Sequence, residues 1–164
     1  MPLAPTPLLA PPDVAWKALP AAYDSLGIPL NVMDLPQHLI GNQGMKLRQK
    51  LGMTRLSKYL DCGGTQIGPN ADSYEVLMAV ITHVGVNAQG VTELWMRVSA
   101  VARPMAFSQP YSRCTSTGEI EKRLVELVRT GIRTAHRRPE ALYPRYPSQS
   151  AFIRDLVRKG GSHG

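Results

Sequence analysis

The clearest hydrophobic pattern lies in the middle of the chain. Residues 73–84 and 91–102 are rich in apolar and β-forming residues, and the segment Gly-Val-Asn-Ala-Gln-Gly separates them. In the second segment the even-numbered positions from Leu94 to Ala102 are apolar, whereas Trp95 and its polar neighbours occupy odd-numbered positions. A period of two is typical of a strand with one buried face. The pattern therefore predicts an antiparallel hairpin with one buried and one wetter face.

A helix is predicted before this hairpin. Asp13 is a candidate N-cap, and apolar residues then recur near one face as far as Leu26. Gly27 fits the position that ends a helix, and Pro29 prevents its continuation. Pro20 either kinks this helix or marks its true first turn. We expect a helix that ends at Leu26.

A second, longer helix is predicted after the hairpin. It begins at Ser116-Thr117-Gly118-Glu119, which has the form of a capping box. Basic residues gather toward its C-terminal end, where they suit the helix dipole. Its apolar residues form one stripe, namely Ile120, Leu124, Leu127, Val128 and Ile132.

Part of the segment between the first helix and the hairpin can be interpreted in two ways. Residues 28–33 alternate enough to form a strand. In residues 37–51 apolar positions alternate with basic ones, at Lys46, Arg48 and Lys50, which favours a strand with one basic face. A helix over residues 46–60 is the alternative.

These elements predict an α+β fold. We expect a mainly antiparallel sheet of four or five strands, with an N-terminal helix and a long C-terminal helix packed on it. The length of 164 residues suits a single domain, which we assign to residues 13–138. Prolines are concentrated outside it, so residues 1–12 are expected to form an extended arm. Residues 139–164 are expected to form an extended basic arm with a candidate short helix.

The basic residues are unevenly distributed. The chain carries a net charge of +7, and residues 46–60 contain five basic residues and no acidic one. Residues 122–164 are the second basic segment. Such segments raise the local concentration of anionic partners, although a solvated basic surface also keeps a protein soluble.

The two cysteines, Cys62 and Cys114, bracket the predicted hairpin. A bond between them would close a loop of about fifty residues and stabilise the fold by about 4 kcal/mol on the chain-entropy model. We expect this disulfide, and with it an oxidising compartment; two unrelated buried thiols are the alternative. Because no second Cys or His pair accompanies them, a zinc site is not expected.

Other catalytic and ligand-binding motifs are not found in the sequence. The four histidines are dispersed, and the Gly-rich segment 63–68 does not end in the Gly-Lys-Ser/Thr of a phosphate-binding loop. Asp61 and Asp72 flank that segment, but they do not have the regular spacing of a calcium loop. We therefore expect no catalytic residue, no metal and no cofactor.

Four segments carry a resemblance to a group of proteins. They are Ala-Leu-Pro-Ala-Ala-Tyr-Asp-Ser-Leu-Gly-Ile-Pro-Leu, Tyr-Leu-Asp-Cys-Gly, Ala-Asp-Ser-Tyr-Glu-Val and Cys-Thr-Ser-Thr-Gly-Glu-Ile-Glu. In this order they resemble exported, lipoprotein-like bacterial α+β proteins with a Cys pair that brackets the sheet. The resemblance covers about residues 15–130 and brings no activity or catalytic residue. It implies export to the periplasm, although the chain shows no N-terminal signal or lipid-bearing Cys.

We expect a non-catalytic accessory subunit of a larger assembly, on the periplasmic side of a membrane complex such as a photosynthetic or respiratory one. Its partners are expected to be protein subunits, with anionic lipid headgroups as a further surface. The candidate partner-binding residues lie in the arms and basic segments and are Pro5, Pro7, Pro11, Lys46, Arg48, Lys50, Arg137, Arg138, Tyr143, Tyr146 and Phe152.

Two alternatives from other classes stay open. A thiol-dependent enzyme would use Cys114 or Cys62 as its nucleophile. A nucleic-acid-binding protein would use the basic segments, but the strands lack the aromatic motif that stacks bases. Trp95, on the wetter face, is either a binding anchor or a cover for a neighbouring strand.

Overall fold

A computed structural model of the protein describes residues 4–106 and 108–137. The predicted C-terminal arm, with the candidate residues Arg138, Tyr143, Tyr146 and Phe152, lies outside the described residues. The compact unit considered below ends at Arg133, and residues 134–137 at the end of the last helix belong to a second unit.

The described chain contains eleven strands, three α-helices and one short 3-10 helix at Asn70–Asp72. The α-helices are α1 (Pro12–Leu26), α2 (Leu56–Tyr59) and α3 (Glu119–Arg137). The strands are β1 (Thr6–Leu8), β2 (Val32–Asp34), β3 (Leu39–Arg48), β4 (Lys50–Leu51), β5 (Thr54–Arg55), β6 (Leu60–Asp61), β7 (Gly64–Thr65), β8 (Gly68–Pro69), β9 (Glu75–Val86), β10 (Thr92–Arg103) and β11 (Ser112–Ser116).

Nine of these strands form one sheet, and every pairing in it is antiparallel. The order is β5-β4-β3-β9-β10-β11-β6, with β1 added to β10 and β2 added to β3, while β7 and β8 form a separate hairpin. The predicted α+β class, with an antiparallel sheet and a long C-terminal helix, is confirmed. The sheet has more strands than expected because several of them are only two or three residues long, too short to show a period of two.

The predicted hairpin is the centre of the sheet. Strands β9 and β10 are each twelve residues long and pair along their whole length. Asn87 shapes the turn between them, because its Oδ1 accepts hydrogen bonds from the N–H groups of Gln89 and Val91. The even-numbered residues of both strands face inward, as the alternation predicts. Residues 37–51 contain the long strand β3, as the favoured interpretation predicted. The alternative helix over residues 46–60 is wrong, except that Leu56–Tyr59 form the single turn α2.

Helix α1 packs on the inward face of β9. Its buried side chains include Leu19 and Tyr23, and the Tyr23 hydroxyl lies 2.6 Å from Thr82 Oγ1 in the middle of β9. Burial raises the pKa of Tyr23 to about 12, against the opposing effect of the hydrogen bond to Thr82, so this hydroxyl stays neutral. The contact fixes the helix at one position along the strand.

The ends of α1 differ partly from the prediction. The helix begins two residues earlier than expected, with Pro11 in the N-cap position and Asp13 in the first turn, where its charge suits the helix dipole. Pro20 lies inside the helix without ending it. Gly27 ends it in the left-handed conformation, with φ of 78°, as predicted.

Helix α3 begins where expected but not through the predicted capping box. The N–H of Glu119 donates to Thr117 Oγ1 rather than to Ser116. Ser116 donates to the carboxylate of Glu121, and the Glu119 carboxylate instead accepts from Arg123 Nε at 3.1 Å. The motif identified the helix start to within its four residues but assigned the wrong acidic partner, because Ser116 donates to Glu121 rather than to Glu119.

The disulfide between Cys62 and Cys114 is present, with a Cα–Cα distance of 4.4 Å. Cys62 directly follows β6, and Cys114 lies in β11, so the bond extends the β6–β11 pairing by one further position. The two cysteines are 52 positions apart in the sequence, and the segment between them includes the whole β9–β10 hairpin. The predicted disulfide is therefore confirmed.

Replacement of both cysteines tests how much the disulfide stabilises the fold. The Cys62→Ser/Cys114→Ser double variant should unfold with a free energy about 2 to 4 kcal/mol lower than the wild type, because the unfolded chain loses a loop constraint. Urea denaturation followed by circular dichroism measures this difference. Under reducing conditions both proteins lack the bond. If their unfolding free energies still differed by the same amount, the stabilisation could not be assigned to the disulfide.

Candidate binding face

The helices pack on one face of the sheet, and the other face is open in the described part of the chain. The outward residues of β9 include Leu77, Ala79 and Ile81, which are half-buried, and those of β10 include Trp95 and Arg97, which are exposed. We call the outward side of β3, β9, β10 and β11 the open face. It matches the wetter face that the alternation predicted.

Strand register places two aliphatic side chains side by side on the open face. Leu77 of β9 lies directly between Lys46 of β3 and Val101 of β10, and Val101 in turn lies beside Arg113 of β11. This row therefore has two aliphatic residues in the middle and one cation at each end. Since directly opposed residues of antiparallel strands are close neighbours, the row forms one continuous surface.

Cations outnumber acids on the open face. Five basic residues point outward, and the acids that accompany them in β9 and β10 are Glu75 and Glu93. Glu93 accepts a hydrogen bond from the side chain of Asn87, at the hairpin turn. The five basic residues are Lys46, Arg48, Arg97, Arg103 and Arg113.

Glu75 organises the cations at one end of this face. Its carboxylate is nearly buried and accepts from Arg103 Nε at 2.8 Å, from Tyr111 Oη at 3.0 Å and from Lys46 Nζ at 3.1 Å. The Arg103 guanidinium also lies 4.4 Å from the centre of the Tyr111 ring. The bonds from Arg103, Lys46 and Tyr111 lower the pKa of Glu75 to about 2, against the opposing effect of burial.

The face keeps an excess of positive charge, because its five basic residues outnumber Glu75 and Glu93. The Lys46 side chain is still largely exposed although it pairs with Glu75. Arg97 and Arg113 are exposed and take part in none of the ion pairs of the described residues. The face therefore presents two kinds of cation beside its aliphatic residues. Lys46 and Arg103 are paired with Glu75, whereas Arg97 and Arg113 are not.

Trp95 lies at the other end of the open face, directly beside His83 of β9. The side chain of Trp95 is 45% exposed, and His83 is exposed as well. An indole that is open to this extent combines apolar area with a polar N–H, a combination that recurs at binding surfaces.

The structure brings together only some of the predicted partner-binding residues. Lys46 and Arg48 lie on the open face, and Lys50 lies on the adjoining strand β4. Arg137 is the last residue of α3 and is exposed. Arg97, Arg103 and Arg113 were not singled out from the sequence, because only the strand register shows that they share a face with Lys46.

The prolines of the predicted N-terminal arm are placed in or next to the fold itself. Pro7 lies in β1, which pairs with β10, and Pro11 is the N-cap of α1. Pro5 precedes β1 directly. The carbonyl of Pro7 accepts a hydrogen bond from Arg129 of α3 at 3.4 Å, so this oxygen points away from β10. Residues 6–8 are thus an extended segment, as expected, and it adds to the chain's own sheet.

Two further observations concern the alternative functions. Both cysteines are joined in the disulfide, so neither presents a thiolate while the bond is intact. Among the residues that the structure describes, no three His, Cys, Asp or Glu side chains are grouped so that they could hold a metal ion. In the same residues, no helix is both long and apolar enough to cross a membrane.

No protein-family model matches the chain, and no curated protein matches it.

The Glu75 cluster predicts a specific pH dependence. Because the folded-state pKa of Glu75 lies below its ordinary value of 4.5, its ionised form stabilises the fold above that pH. This contribution should decline as the pH falls from about 4.5 toward 2. Glu75→Gln should therefore lower the unfolding free energy at neutral pH, and the difference from wild type should shrink in acid.

Urea denaturation at a series of pH values measures this difference. Glu126→Gln is the matched control, because Glu126 is an exposed carboxylate on α3. A Glu75→Gln difference that does not change with pH would show that the carboxylate charge has no part in the stabilisation.

Proposed function

We propose that this protein is a non-catalytic accessory subunit that binds an acidic surface of a partner protein through its open face. The observation that carries the proposal is the row from Lys46 through Leu77 and Val101 to Arg113, in which cations flank an aliphatic centre. In a sheet with helices on one side only, such a surface takes no part in packing the core. The proposed setting is an oxidising compartment, the periplasmic side of a membrane complex.

The composition of the open face fits a protein interface. Interfaces combine an apolar centre that loses its water with a polar rim, and Arg and Trp are enriched among the residues that contribute most to affinity. Here Leu77, Ile81 and Val101 supply the apolar area, Arg113 lies beside Val101 at its edge, and Arg97 lies directly beside Ile81. The two arginine charges would steer an acidic partner toward the face and fix its orientation.

The disulfide supports the proposed compartment. Bonds of this kind persist in exported proteins and are rare where thiols are kept reduced. The resemblance to exported lipoprotein-like proteins points in the same direction and stays a hypothesis. A photosynthetic or respiratory membrane complex is one assembly of the proposed kind, and the C-terminal arm 139–164 is a second proposed contact with it.

The N-terminal arm no longer contributes to the proposal. Residues Thr6–Leu8 pair with β10, and Leu8 is buried in the core, so these residues are engaged within the chain. The open face takes over the role that the sequence assigned to this arm.

The nucleic-acid alternative has weaker support on the same face. Sheet surfaces that bind single strands stack successive bases on neighbouring aromatic side chains. On the open face Trp95 lies beside His83, but the ring of Tyr111 is already covered by Arg103. The aliphatic centre formed by Leu77 and Val101 offers no stacking platform, so an acidic protein fits the face better.

Site-specific crosslinking tests the proposed interface. We expect a photo-crosslinking amino acid in place of Ser99, an exposed residue of the open face, to yield a discrete product with an acidic protein in the native cell. The same replacement at Lys122, an exposed residue of α3, is the matched control and should not yield it. Arg97→Glu/Arg113→Glu should lower the yield by about tenfold or more, and added salt should lower it as well.

The outcome separates the proposed functions. Loss of the product on charge reversal supports the acidic partner protein. Products that are equal at the two positions, or insensitive to the charge reversal, contradict it. Salt-sensitive retention of the full chain on single-stranded DNA or RNA, lost in the Arg97→Glu/Arg113→Glu variant, would favour nucleic-acid binding instead.

A further inference from the structure

A second basic surface lies beside the open face, on the hairpin of β4 and β5. Its two-residue turn is Gly52-Met53, and the Met53 side chain is 92% exposed. Four exposed basic residues flank this turn in the sequence, and residues 46–60 contain no acidic residue. The four are Arg48, Lys50, Arg55 and Lys58. We call Met53 and these four residues the basic hairpin.

The cations of the basic hairpin are placed against one another. Lys50 lies directly opposite Arg55 on β5, and it also pairs in register with Arg48 on β3. Like charges in directly opposed positions destabilise a sheet. Glu75, the acid beside Arg48 in register, makes its ion pairs with Lys46 and Arg103. None of the ion pairs of the described residues includes a cation of the basic hairpin.

The basic hairpin is held firmly from its inner side. Leu51 is buried in the core, and its partner Thr54 accepts a hydrogen bond from Arg123 of α3 at 3.2 Å. Gly52 packs so closely on the end of α1 that a Cβ atom at Gly27 would lie 2.9 Å from the Gly52 Cα. Met53 is therefore presented at the tip of an anchored turn.

We propose that the basic hairpin binds the surface of an anionic lipid membrane. An apolar tip that enters the boundary between headgroups and acyl chains, with cations around it that contact anionic headgroups, is the arrangement of surface-bound membrane proteins. Lipid phosphates would supply the negative charge that the opposed cations lack within the fold. The proposal goes beyond the open face, with which the basic hairpin shares only Arg48. It is independent of the partner proposed there, because it depends on Lys50, Met53 and Arg55, which are not part of the open face.

The exposed side chain of Met53 distinguishes a membrane from a soluble anion as the occupant. A soluble anion would be served by the cations alone, whereas the exposed Met53 gains only from an apolar phase. The β7–β8 hairpin provides a comparison within the same chain. Its tip residue Ile67 is 99% exposed, and no basic residue lies in residues 61–72 around it.

Vesicle sedimentation tests the proposal with the full-length protein. The probes are vesicles of equimolar phosphatidylglycerol and phosphatidylcholine, and vesicles of phosphatidylcholine alone. The wild type should bind the anionic vesicles and not the neutral ones. Lys50→Gln and Arg55→Gln should each lower the partition coefficient by about fivefold, since each basic residue near an anionic surface contributes about that factor.

Met53→Ser should lower binding to the anionic vesicles by several-fold, and Ile67→Ser, the matched control, should leave it unchanged. Because the substituted side chains are exposed, the variants should fold as the wild type does. All of these variants share the charges of residues 138–164, so differences between them report on the hairpin alone. In Met53→Trp, tryptophan emission should shift to shorter wavelength with anionic vesicles.

Equal effects of Met53→Ser and Ile67→Ser, or no effect of either, would overturn the proposal. So would losses in Lys50→Gln and Arg55→Gln no larger than the loss in Lys122→Gln, which removes one exposed charge from α3. If the Met53→Ser protein binds anionic vesicles as the wild type does while the charge variants do not, the surface binds anions without insertion, and the membrane assignment is wrong. Failure of this test leaves the crosslinking result at Ser99 unaffected.

Discussion

Strands β9 and β10, each twelve residues long, place every second side chain under the helices, and this burial governs the rest of the structure. The hydroxyl contact between Tyr23 and Thr82 fixes α1 along β9, and a Gly131 without a side chain lets α3 approach Ala18 of α1. Because both helices use the same side of the sheet, the alternate side chains have no internal partner layer. The open face is thus a direct result of where the core formed.

The electrostatics follow the same division. On the inward side the polar groups are few and paired, as the Tyr23–Thr82 contact shows. On the outward side Glu75 concentrates two cations and a phenol around one carboxylate. That cluster is stable because the acid is ionised over the ordinary pH range, and it leaves the other cations of the sheet free to meet an external charge. The fold therefore separates a neutral core from a charged exterior within a single sheet.

Much of the fold could be predicted from the sequence, since long periodic segments carry their own signal. The β9–β10 hairpin, both long helices, the helix end at Gly27 and the Cys62–Cys114 bond were all predicted. The open face could be predicted only in part. Alternation in β10 indicated a wet face with Trp95 on it, but the strand register that brings Lys46 and Arg113 to either side of Leu77 and Val101 depends on long-range pairing. The two-residue strands of the basic hairpin are also too short for any periodic signal.

The short strand β1 has a consequence for how the molecule behaves at high concentration. Pro7 has no N–H group, and its carbonyl oxygen is turned toward Arg129, away from β10. The rim of the sheet that β1 forms therefore offers an incoming chain no amide donor at this position. Exposed sheet edges are where proteins join into fibrils, and a proline on such an edge blocks that growth. At this edge the proline therefore opposes the self-assembly of a protein whose open face is left uncovered.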